Sequence, residues 1–221
     1  MRCRAGHNEF IAREALIFVI PLLSLSLIAW LKDYNWISAV LLLLVFCVSV
    51  FFRNPERYGP ADPDAILSSA DGKVTSITPN VTSHISGKGP YTRVSVFMSV
   101  FNVHVNRWPA PGKVTFVKHL KGSFLDAREA DSSIVNERNA IVIDTPFGNV
   151  EIVQIAGKIA RRIACWARVS DEVMKGERLG LIRFGSRVDV YIPPGLTPVV
   201  TEGNRVKAGI TVLARSDTKL S

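Results

Sequence analysis

Cysteine is scarce in this chain of 221 residues: there are three, at positions 3, 47 and 165, and no two stand in C-x-x-C spacing. A disulfide framework or a thiolate zinc site needs more thiols, or better spaced ones, so neither is expected. The four histidines, at 7, 84, 104 and 119, are too scattered for a His-x-x-x-His pair, and no metal is expected. Acidic residues are in deficit, 19 against 27 lysines and arginines, which leaves a net charge of +8. That balance suits a nucleic-acid binder, a membrane-surface protein or an enzyme with anionic substrates, and composition does not choose among them. No basic-aromatic motif of the usual nucleic-acid readers is present, so nucleic acid is not an expected partner.

Charge is missing altogether from residues 15–31 (ALIFVIPLLSLSLIAWL) and 36–52 (WISAVLLLLVFCVSVFF), which only Lys32-Asp33-Tyr34-Asn35 separate. At 1.5 Å per residue, a helix of ~17–20 residues crosses a hydrocarbon core of ~30 Å, so each run is about the minimum span. Such tight linkage implies a helical hairpin that enters and leaves on one side. Arg2, Arg4 and Arg13 precede it and Arg53 and Arg57 follow, whereas the tip is near neutral and carries Trp30, Tyr34 and Trp36. Positive-inside logic puts both flanks in the cytoplasm and the aromatic rings at the far interface. The expected location is the inner cell membrane, with the rest of the chain on its cytoplasmic face. A buried helical pair in a soluble core is the competing reading. A cleaved signal peptide fits less well, because a second apolar run follows and no small-residue cleavage site is evident.

Residues 1–53 therefore form an anchoring hairpin and 54–221 a second domain, with Asn54-Pro55-Glu56-Arg57 and the stretch from Pro60 to Pro63 as a short polar linker. Downstream, short runs alternate with Gly, Pro, Asn and Asp: VSVFMSVFNVHV, GKVTFV, NAIVIDT, GNVEIVQI, RVDVYI and TVLA. This predicts a mainly β domain, barrel or sandwich, with few short helices. Val173–Gly180 weakly echoes Val206–Leu213, each a turn and then a strand, similar to the paired hairpins of lipoyl carriers. No lysine sits in the exposed Met-Lys-Met turn of such a carrier, which argues against a swinging arm.

Taken singly, Asp71-Gly72 is a turn, His104 a core histidine and Gly185-Ser186 a loop. Their flanks change this. The segments Ser69–Val74 (SADGKV), Phe97–Arg107 (FMSVFNVHVNR) and Gly176–Ser186 (GERLGLIRFGS), with Asn136–Asn139 (NERN) and Gln154–Ile163 (QIAGKIARRI), together resemble the phosphatidylserine decarboxylase family in its short form. The resemblance covers most of residues 50–215.

By that resemblance, Asp71, His104 and Ser186 fall on a self-processing triad, and the chain is cut between Gly185 and Ser186 into 1–185 and 186–221, which stay associated. A serine hydroxyl is a weak nucleophile that needs a base in reach, and the base needs an orienting partner, roles expected of His104 and Asp71. Gly185, without a side chain, lets the backbone bend toward the hydroxyl. The family cofactor is a pyruvoyl group derived from Ser186, an electron sink for decarboxylating phosphatidylserine to phosphatidylethanolamine. Arg107, Arg161 and Arg162 are candidates to hold the lipid phosphate. The expected partners are an anionic serine phospholipid, the membrane and further copies of the chain in a homo-oligomer. Longer relatives carry a second histidine where this chain has Phe101, and their Leu-Gly-Ser-Thr stands at Arg183-Phe184-Gly185-Ser186. An ether-lipid serine substrate and a non-enzymatic anchored barrel that binds anionic lipid are the alternatives.

Overall fold

The computed structural model describes residues 9–123, 125, 135–157, 162–183 and 185–216, and divides the chain into two compact units, Gly6–Glu56 and a second beginning at Arg57. In the first, a 3-10 turn at Arg13–Ala15 leads into helix α1 (Leu16–Leu31), and a tight turn with Asp33 at positive φ leads into α2 (Asn35–Phe51). The stretch Arg13–Leu31 is long and apolar enough to cross a membrane, by length and composition; α2, at 17 residues, is a shorter apolar helix. Small residues bring the helices together: the Ser26 hydroxyl lies 2.9 Å from that of Ser38, and Ala29 is buried beside them. Such polar contacts join helices where apolar packing alone does not discriminate. The bulky residues face outward instead, among them Ile17, Ile20, Leu27, Leu43 and Phe46. At the base, Ala12 N–H donates to Phe52 O (2.9 Å), and Asn54 is buried, its amide on Phe10 O (2.7 Å) and its carboxamide on Glu9 O (2.9 Å). Asn54, read from sequence as linker, closes the hairpin.

The second unit is mainly β, as expected, and curls into a half-barrel. Its strands are β1 (Ala65–Leu67), β2 (Gly72–Val81), β3 (Tyr91–Met98), β4 (Val105–Arg107), β5 (Gly112–Leu120), β6 (Arg138–Thr145), β7 (Gly148–Ile155), β8 (Ile163–Cys165), β9 (Glu172–Val173), β10 (Arg178–Ile182), β11 (Ser186–Ile192), β12 (Leu196–Pro198), β13 (Arg205–Val206) and β14 (Val212–Ser216). Eight form one antiparallel sheet in the order β13-β2-β3-β11-β7-β6-β5-β9; β4-β10-β8 and β1-β14-β12 are smaller sheets. Alternation along β11 sends Val188, Val190 and Ile192 into the main core with Val94, Val96, Ile141 and Ile152. Its other face carries Arg187, paired to Asp189 by two parallel bonds of 2.7 and 2.8 Å, and Tyr191.

The run VSVFMSVFNVHV, read as one strand, is two. Asn102 Oδ1 accepts from both the amide (2.9 Å) and the hydroxyl (2.8 Å) of Ser99, so a side chain replaces the ladder and turns the chain between β3 and β4. The weak internal echo is structural. Gly176 and Gly209, at φ of 82° and 69°, turn the two hairpins, and a Cβ on Gly209 would lie 3.3 Å from Gly176 Cα.

Candidate active site

Because neighbouring strands are antiparallel, six of them begin or end at one edge of the large sheet. The pairs Lys73–Phe97, Met98–Ser186, Arg187–Ile155, Ile155–Arg138 and Arg138–Leu120 put the start of β2, the end of β3, the start of β11, the end of β7, the start of β6 and the end of β5 side by side. Every sequence block quoted for the family resemblance therefore reaches this edge. The smaller sheet adds the rest: Ile182 N–H donates to His104 O (3.3 Å), joining the end of β10 to the start of β4 just before the chain reaches Ser186.

Ser186 is fully buried, and its hydroxyl donates to the Met98 thioether at 3.5 Å, a weak acceptor. Gly185 before it has φ of 59°, a left-handed conformation that glycine adopts at little cost, and among the described residues nothing beyond its chain neighbours lies within 4 Å of where a Cβ would stand. His104 is also fully buried; its Nδ1 lies 3.0 Å from Asn102 O. A carbonyl only accepts, so in the neutral ring Nδ1 carries the proton and Nε2 the lone pair, the tautomer of a general base.

Asp71 departs from the expected geometry. Its carboxylate is forked by Arg57, with Nη1 on Oδ1 and Nη2 on Oδ2 (2.8 Å), and Oδ1 also accepts from the Ala208 amide (2.8 Å). The Asn102 carbonyl, and not Asp71, orients the His104 ring at Nδ1. Asp71 stands at the same edge because Gly72, where a Cβ would meet Phe97 O at 2.0 Å, lets β2 approach the end of β3. Arg57, read from sequence as a membrane flank, is thus an interior partner, and only its spacing from Asp71 in the fold reveals this.

The three arginine candidates separate. Arg107 is buried and donates to Gly176 O (2.7 Å), and its Cδ would be 2.7 Å from a Cβ on Gly209, so it pins the two echo hairpins together. Arg162 is exposed and accepts the Arg183 amide at its carbonyl (3.3 Å), one residue-pair short of Gly185. Arg161 lies outside the described residues, as does Phe184. Phe101, where longer relatives carry histidine, projects from the Ser99–Asn102 turn with 84% of its surface exposed. Among the described residues no group of three or more His, Cys, Asp or Glu is placed to hold a metal.

One feature of this edge escaped sequence reading. Asn106, Gln154 and Asn139, all buried, form a chain of carboxamides that runs from Met98 to His119. The signal was present as polar residues inside otherwise apolar strands, but neither NERN nor QIAG shows by itself that the blocks meet.

The family model for phosphatidylserine decarboxylase matches residues 44–214. A protein of Syntrophus aciditrophicus (strain SB), named a phosphatidylserine decarboxylase proenzyme, is 45% identical over 205 residues, which cover 92% of this chain and 96% of that one. The chain belongs to the phosphatidylserine decarboxylase family.

Membership places the chain among the decarboxylases, and the relative's name describes a proenzyme, a chain that matures before acting. The residues here fit a pyruvoyl group made from Ser186. The hydroxyl is buried away from bulk water and donates to a thioether, the preceding residue is a glycine in the left-handed region, and a buried imidazole stands at the same edge. Close packing by glycine extends to the second sheet: on Gly180 a Cβ would lie 2.4 Å from Ala164 O and 3.2 Å from the Gln154 amide nitrogen.

Proposed function

We propose that this chain is a membrane-anchored proenzyme that cleaves itself at Gly185-Ser186 and then decarboxylates phosphatidylserine to phosphatidylethanolamine. The observation that carries this is the convergence on one sheet edge of Gly185-Ser186, His104 and all the family's sequence blocks. In self-cleavage the Ser186 oxygen attacks the Gly185 carbonyl carbon. His104 Nε2 takes the hydroxyl proton and returns it to the Ser186 nitrogen as the C–N bond breaks, leaving an ester. Loss of the Ser186 Cα proton then breaks the Cβ–O bond and frees the Gly185 carboxylate, and water adds to the dehydroalanine left at residue 186 with loss of ammonia to give the new amino terminus. The pyruvoyl carbonyl so formed supplies an electron sink for a bound primary amine. His104 then holds the proton that replaces the lost carboxylate. Asp71 acts as a positioning residue, fixing the start of β2 through Arg57 and Ala208, and Arg162 is the exposed cation suited to the lipid phosphate.

The hairpin anchors the chain in the membrane that carries its lipid, with both flanks cytoplasmic by the arginine asymmetry. The inner membrane is the matching location. Purified protein in detergent or vesicles is expected to release carbon dioxide from phosphatidylserine without added pyridoxal phosphate or metal. Hydroxylamine should abolish turnover, and chelators should not. Mass spectrometry should find residues 186–221 blocked by pyruvoyl. Activity on an ether-lipid serine alone would overturn the substrate, and cleaved protein inert on every serine headgroup would overturn the function.

A further inference from the structure

The carboxamide chain at the site has a direction. At its far end His119 Nδ1 lies 2.8 Å from Asn139 Oδ1, which accepts from the ring when Nδ1 carries the proton. Asn139 Nδ2 in turn donates to Gln154 Oε1 (3.4 Å), and Gln154 Nε2 to Asn106 Oδ1 (2.8 Å). Each amide oxygen is held by the donor behind it, so each amide nitrogen must point forward, toward Ser186. At the front, Asn106 Nδ2 meets the Met98 sulfur at 3.6 Å, the same sulfur that receives the Ser186 hydroxyl at 3.5 Å. Two strong donors, on fully buried residues, thus share one weak acceptor. A buried donor left without a good acceptor is destabilising, and a catalytic role is one reason for a fold to keep such a group.

The register places Asn106 for this. It is paired to Gly180 on β10 and stands two residues after His104, which directly precedes β4, so the base and this donor enter the site from one short stretch of chain. That donor cannot flip without breaking its bond to Gln154.

We propose that Asn106 is an oxyanion-binding residue for self-cleavage, held in place by Gln154 and Asn139. As the Ser186 oxygen bonds to the Gly185 carbonyl carbon, the carbonyl oxygen becomes anionic; Asn106 Nδ2 exchanges the sulfur for that oxygen and returns to it when the C–N bond breaks. No atom is gained or lost beyond the acyl shift itself. A donor fixed beforehand costs no reorganisation at the moment charge develops, which is why such donors are effective. This rests on the proposed cleavage at Gly185-Ser186.

The test follows cleavage of freshly made full-length chains by denaturing electrophoresis and mass spectrometry, alongside thermal midpoints measured in the uncleavable Ser186→Ala background. Asn106→Ala and Asn106→Asp should slow cleavage ~10²–10³-fold, the usual loss for one oxyanion donor. Gln154→Ala should slow it less, and Asn139→Ala least, although all three truncations disrupt one buried chain and should lower the midpoint similarly. Loss of cleavage that instead tracks loss of stability across the three positions assigns the chain to packing and overturns the proposal. So does Asn106→Asp cleaving within threefold of the parent. A parent chain that never splits at this bond removes the functional reading itself, a distinct failure.

Discussion

Replacing Arg57 by alanine separates two roles that sequence alone confuses, a membrane-flanking cation and a structural partner of Asp71. Side chains of both residues are about nine-tenths buried, so the pair is not screened as a surface ion pair would be. Truncation removes two bonds to the carboxylate and one to Ala208 O (2.9 Å), leaving Asp71 with the Ala208 amide. Breaking a buried pair from one side costs ~3–5 kcal/mol, chiefly because a buried charge is left uncompensated. For a chain of this size about 1 kcal/mol moves the melting midpoint by ~2–4 °C, so Arg57→Ala should lower it by roughly 6–20 °C. The Arg57→Met, Asp71→Leu double variant should recover much of this, since replacing both ions by apolar side chains can be close to neutral. The assay is thermal unfolding in detergent of Ser186→Ala chains, which stay in one piece. A shift under about 2 °C for Arg57→Ala would show that the ion pair contributes little and that Asp71 is held by something else.

Other expectations are direct. Ser186→Ala should remain a single chain on denaturing gels, and His104→Ala should slow cleavage ~10²–10⁴-fold, the range for a general base; splitting of Ser186→Ala at the same bond would refute the nucleophile. Gly180→Ala forces a Cβ to within 2.4 Å of the Ala164 carbonyl and should cost ~1–3 kcal/mol in thermal or denaturant unfolding, against no change if β8 simply moves aside. Burial raises the Cys165 thiol above its ordinary value, with a backbone bond from Ala167 only partly opposing this. Its contribution to stability is complete below the unfolded thiol value of ~8.5 and is lost as pH rises through the folded one, so Cys165→Ala should flatten stability against pH above ~8.5.

The parts of the fold that were legible in the sequence are those set by local pattern. GNVEIVQI is β7 residue for residue, because turn residues bound it and the glycine at its start takes positive φ. The break after Met98 was not legible, because Ser99 and Asn102 look like polar residues on a strand until their mutual hydrogen bonds make a turn. The site divides the same way. Ser186 and His104 stood out because their flanking blocks are distinctive, whereas Arg57 and Asp71 become partners only across a strand order that no local window contains. Arg107 adds a contact that no local window contains: one of its donors goes to the carbonyl of Gly176, on the other hairpin's turn.

The proposed cleavage site stands where the strand order lets both products keep their pairing. Residues 186–192 form β11, which lies between β3 and β7 inside the eight-stranded sheet, so the bond proposed to break stands at the very start of a central strand. All seven residues of that strand are buried, and full burial of Val188, Val190 and Ile192 alone is worth roughly 5–9 kcal/mol. The chain beyond β11 also supplies β13 to the edge of β2 and β14 to β1. A cut before Ser186 therefore removes one covalent link and no ladder. Had the cut fallen within β11, the new terminus would have broken pairing on both sides. In the proposed cleavage, a cut directly ahead of the ladder would leave residue 186 in its place beside Met98 and both products paired through the sheet.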